Sequence, residues 1–115
     1  MTPIELMDRL ERLLNVLSSA NEEYRRAYEV YIKKLNEYKL EYAKQYLLNK
    51  ANMGKATVNE IESKTHIDVQ KFKLDADIAE GMVKAAKEKL DAIKIEIDTV
   101  RSMLSYLKSE YERTE

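Results

Sequence analysis

This sequence predicts an all-α fold: a long antiparallel helical hairpin, a coiled coil that assembles into an oligomeric helical bundle. Three observations carry that expectation. Apolar residues recur at alternating spacings of three and four along two long stretches. One short segment containing Asn and Gly separates those stretches. The 115 residues include only 2 glycines and 1 proline, too few turn residues for a sandwich, a barrel or a doubly wound sheet. A single helical-hairpin domain over 1–115 follows, with helix 1 at about 3–49, a turn at about 50–57 and helix 2 at about 58–113.

Helix 1 opens at Thr2-Pro3-Ile4-Glu5. Thr2 can cap, Pro3 suits the first helical position, and Glu5 completes a capping box. Its seam runs Met7, Leu10, Leu14, Leu17, Asn21, Tyr24, Tyr28, Tyr31, Leu35, Tyr38, Tyr42 without a slip. Neither Gly nor Pro interrupts the chain between Ile4 and Met53, so the helix reaches ~70 Å at 1.5 Å per residue. The seam ends at Asn49, and Asn52-Met53-Gly54 supplies the left-handed backbone that stops a helix.

Helix 2 starts with a second capping box, Thr57-Val58-Asn59-Glu60. Its seam is Thr65, Val69, Phe72, Ala76, Ala79, Val83, Ala86, Leu90, Ile93, Ile97, Val100, Leu104, Leu107, Tyr111. The weak point is Thr65-His66-Ile67-Asp68, where β-branched residues lower helix propensity and leave room for a break or bend. Gly81 stands mid-helix at a cost of roughly 1 kcal/mol against Ala.

If the chain reverses near residues 53–54, facing residue numbers add to about 107. Leu14 then meets Ile93, and the tyrosines meet small or slender residues: Tyr31 on Ala76, Tyr38 on Val69. Both helices also carry apolar residues that this single seam cannot bury, among them Leu6, Leu13, Ala20 and Ala27 on helix 1. On helix 2 the surplus is Leu74, Ile78, Met82, Ile95 and Met103, and Leu107 and Tyr111 outrun helix 1. A homo-oligomer, a dimer first of all, is expected to cover these seven residues. Asn21 is expected to fix register as the polar member of its seam.

Composition argues against most chemistry. Without cysteine there are no disulfides, no thiol nucleophile and no thiolate metal site. The one histidine, His66, has Glu62 a turn away, but neither seam contains the inward acids of a di-metal bundle. Gly-rich phosphate loops need more glycine than this chain has. No enzyme, metal or cofactor is expected. Six tyrosines between Tyr24 and Tyr46 could stack on bases, but their heptad spacing favours core or interface. The net charge of −1 gives no general attraction to nucleic acid or to an anionic membrane. Lys44, Lys50 and Lys55 make the turn a cationic spot without an acid between Tyr42 and Asn59, an anion contact that physiological salt would weaken.

The N-terminus lacks a signal-peptide pattern, and the longest uncharged stretch, Leu13 to Asn21, is far below the roughly 20 residues of a membrane span. A cytoplasmic protein is expected.

At Gly54-Lys55-Ala56-Thr57-Val58-Asn59-Glu60-Ile61-Glu62, then Leu74-Asp75-Ala76-Asp77-Ile78-Ala79-Glu80, Leu90-Asp91-Ala92 and residues 100–108, the chain resembles small helical-hairpin proteins of tailed bacteriophages and prophages. Such proteins are often encoded near recombination and single-strand-binding genes. The resemblance implies a non-enzymatic accessory role near DNA recombination or replication, inside the bacterial host cell, with a host or phage protein as partner. It brings no catalytic residues. Two other functions are compatible with the sequence: a nucleic-acid accessory that uses the lysine-bearing turn, and a counter-defence protein that binds a host protein or a nucleotide.

Overall fold

The computed structural model describes residues 1–114, in three helices and, among these residues, no strand: α1 Pro3–Asn52, α2 Val58–Asp68 and α3 Gln70–Thr114. Both capping sites form. The Glu5 backbone N–H donates to Thr2 Oγ1 at 3.2 Å, and that of Glu60 donates to Thr57 Oγ1 at 3.2 Å. α1 outlasts the expected stop at Asn49 by about a turn, because Asn49 is itself part of a packed face. The stop comes at Gly54, whose φ of 59° is the left-handed conformation glycine adopts at least cost. The expected single helix 2 is two helices, interrupted at Val69 (φ −105°, ψ 13°) next to the weak Thr65–Asp68 segment.

The helices contribute to two compact units, one of residues 1–25 with those from Lys84 onward, the other Arg26–Val83. In the first unit α1 and α3 run antiparallel. Arg9 approaches Glu96 at 3.9 Å, and Lys89 Nζ donates to Glu23 Oε2 at 3.0 Å. Its core is Ala20, Leu90, Ile93 and Ile97, flanked by Leu10, Leu13 and Leu17, with Leu6 and Val100 also buried. In the second unit the end of α1 packs antiparallel against α2 and the start of α3. Buried there are Ile61, Val69, Ala76 and Ala79, together with two polar residues, Asn49 and Thr65.

The helix 2 seam is the one read from sequence, whereas the helix 1 seam is rotated. Leu6 and Ala20 are buried, while Met7 (59% exposed), Leu14 (42%) and Tyr28 (48%) face outward. Alanine at the contact lets two helices approach closely, and a tyrosine one position on keeps its hydroxyl in water. Pairing is shifted as well. Tyr31 reaches Glu80 and Tyr38 lies under Lys73, each one helical turn along α3 from the expected Ala76 and Val69. The longer α1 moves the reversal to a turn centred on Lys55 instead of residues 53–54. Among the described residues no helix is long and apolar enough to cross a membrane.

Candidate interaction surfaces

Large apolar side chains are exposed along both units, several of them at one end of the first. Ile4 is 72% exposed and Tyr111 68%, with Met1, Met7 and Tyr106 also outward. Between the start of α1 and the end of α3 lies an open groove of about 770 Å³, walled by Pro3, Met7, Leu10, Leu104, Leu107 and Tyr111 and edged by Lys108 and Glu110. A second groove of about 380 Å³ runs on the other flank of Leu107, against Met1, Leu6, Met103 and Tyr106. Leu107 is half-buried, since the shifted pairing brings the first turns of α1 beside it; sequence pairing had left it without a partner in the chain. Met103 and Ile95 are exposed in this unit too.

Leu74, Ile78 and Met82 are exposed in the second unit, where Ile78 and Met82 line a shallow groove of about 230 Å³ with Val30, Lys34, Asp75 and Ala79. Gly81 stands beside Met82 on this helix, and a Cβ built there meets nothing within 4 Å. The packing of this chain therefore does not require glycine at that position.

A polar node lies where α1 meets α2. Asn49 Nδ2 donates to Thr65 Oγ1 at 3.1 Å and to Asp68 Oδ2 at 3.0 Å, while its Oδ1 accepts from Gln45 Nε2 at 3.1 Å. Thr65 Oγ1 in turn donates to the Ile61 carbonyl at 2.7 Å. Lys64 Nζ, at 2.8 Å from Asp68, and the Asn49 amide hold the Asp68 carboxyl below its usual range. Sequence reasoning placed the register-fixing asparagine at position 21, yet Asn21 is exposed, beside the buried Ala20. The buried asparagine is Asn49. Its signal was its spacing, one heptad after Tyr42, which the neighbouring Asn-Gly segment obscured.

Tyr38, Tyr42 and Tyr46 form a ladder along α1. The Tyr42 ring stacks on Tyr46 at 6.3 Å and meets His66 at 5.1 Å, and Lys73 lies 5.7 Å from the Tyr38 centroid. The rings thus pack against one another, against His66 and beside a lysine. Burial, and then the nearby Glu62 carboxylate, raise the Tyr42 hydroxyl above the ordinary tyrosine value. Of the lysines near the turn, Lys44 pairs with Glu41 at 3.8 Å, while Lys50 and Lys55 are exposed at and beyond the end of α1. Among the described residues no group of three metal-ligating side chains comes together.

Searches of protein-family models, of curated proteins and of solved structures found no match to this chain.

Proposed function

We propose that this chain is a non-enzymatic, oligomeric protein-interaction module, a phage or prophage accessory protein that works in the bacterial cytoplasm near DNA recombination or replication. The observation that carries the interaction role is the set of large apolar side chains left outward, above all around Leu107 in one unit and at Ile78 and Met82 in the other. Soluble chains rarely leave apolar patches beyond a few hundred Å² uncovered, and such patches mark contacts with other proteins. The first partner is a second copy of the chain, paired into a four-helix bundle. The phage context rests on the sequence resemblance alone.

Two features weaken the competing functions. Stacked tyrosine rings and a Lys44 already paired with Glu41 leave little for a nucleic-acid site at the turn. The grooves are walled mainly by apolar side chains, which suits a protein helix better than a nucleotide.

Light scattering at low micromolar concentration tests the reading. A species of at least twice 13.5 kDa is expected, dissociating when Ile78 and Met82 are both changed to Glu. A folded monomer in the native sequence would refute self-assembly and reassign these surfaces to a different protein.

A further inference from the structure

We infer that the Asn49–Thr65–Asp68 node is a register device: it selects one alignment of α1 against the arm formed by α2 and the start of α3, from several that apolar packing alone would accept. The remaining buried positions of this unit are Ile61, Val69, Ala76 and Ala79, which face α1 with no polar preference of their own. On surfaces built from such residues, a slide of one turn again sets apolar groups on apolar groups.

The node breaks that degeneracy. Asn49 is 3% exposed and Thr65 0%, and they are the only buried polar residues among those described. Both amide hydrogens of Asn49 are donated, its oxygen accepts from Gln45, and the Thr65 hydroxyl both accepts and donates. No buried side-chain N or O atom lacks a partner among the described residues. A slide of one turn carries Asn49 from Thr65 and Asp68 onto Ile61 and Lys64 in one direction or onto Val69 and Phe72 in the other, and none of these side chains can accept a hydrogen bond. The stranded amide then bears its desolvation cost uncompensated, and the slipped state is disfavoured. Lys64 strengthens the choice by holding the Asp68 carboxylate ionised beside Asn49. Specification of register by one buried asparagine is the best-attested use of such groups in helical pairs.

The chain has no cysteine, so spin labels can be placed without altering it otherwise. Nitroxides at Lys33→Cys and Asn59→Cys, both exposed positions of this unit and far apart along the helix axis so that a slide lengthens or shortens their separation directly, report the alignment by pulsed electron resonance. One distance peak is expected in the native background and in Thr65→Ser, which keeps the hydroxyl. In Asn49→Leu/Thr65→Val, with helicity by circular dichroism retained, a second peak displaced by about 5 Å, one turn, is expected. A single unshifted peak in that double variant would overturn the proposal. So would loss of its helical fold, because apolar replacement of a device that only selects register leaves the packing intact.

Discussion

The Thr65 hydroxyl accepts a hydrogen bond from Asn49 Nδ2 at 3.1 Å and donates its own proton to the Ile61 carbonyl at 2.7 Å. One side chain thereby ties α1 to α2 and closes a backbone group within α2. Thr65→Val removes the acceptor and leaves Asn49 with a buried donor unmet, at a cost of about 1–3 kcal/mol. Asn49→Leu added to it should cost less than the two single changes summed, since nothing is then stranded. Urea unfolding of the four proteins in a double-mutant cycle measures the difference, and additive costs would contradict the coupling.

The two glycines should respond in opposite directions. Gly54 has φ 59°, so Gly54→Ala forces a side chain into left-handed backbone and should destabilise by about 1 kcal/mol. A Cβ at Gly81 meets nothing within 4 Å, so Gly81→Ala should raise stability by about 0.5–1 kcal/mol through helix propensity. Thermal melts read both. A loss of stability at Gly81→Ala would mean that a second molecule packs against that position.

Ile97 and Ile95 lie on opposite sides of one helix, 3% and 66% exposed. Truncating Ile97 to Ala removes core and leaves a cavity, at about 2–4 kcal/mol. Ile95→Ala should stay within about 0.5 kcal/mol for the isolated chain, as surface changes do. Denaturant unfolding at sub-micromolar and at high concentration separates the two: a cost at Ile95 that grows with concentration would place it in an interface.

The later half of the α3 seam could be read because its buried positions are large or β-branched, Leu90, Ile93, Ile97 and Val100, among mostly charged neighbours. In α1 two seams satisfy the same spacing, since Leu10, Leu17, Tyr24 and Tyr31 can be completed by Met7, Leu14, Asn21 and Tyr28 or by Leu6, Leu13, Ala20 and Ala27. Hydrophobic size favours the first set. Close approach of helices favours the second, and that preference depends on the facing helix, which periodicity does not encode. The Asn49 node was hidden for a related reason: a residue common in helix stops was serving as a buried donor.

Acid should weaken the node through Asp68. Its carboxyl titrates below the ordinary 3.8, chiefly because Lys64 and then Asn49 bond its charged form. A depressed folded value means that its contribution is complete above the unfolded value and is lost as pH falls through the folded one. Melting temperature should therefore drop between about pH 5 and about pH 2, and drop less in Asp68→Asn. Parallel acid profiles for the two proteins would remove Asp68 from the account.

The interruption at Val69 has a consequence for cooperativity. α2 is 11 residues long, below the roughly 12–15 at which an isolated helix holds together in water, so its order depends on what α1 lends it. Backbone bonds still cross Val69, from its N–H to the Thr65 carbonyl at 3.0 Å and from the Lys73 N–H to its own carbonyl at 3.2 Å. Its ψ of 13° departs from helical geometry and weakens the ladder there, so melting of α2 can stop short of the 45 residues of α3. Amide protons of Ile61 to Asp68 should then exchange through a local opening of lower free energy than those of Leu90 to Val100. The chain carries a firebreak: an opening that starts at the turn can run its course in α2 and close again while α3 keeps its protons.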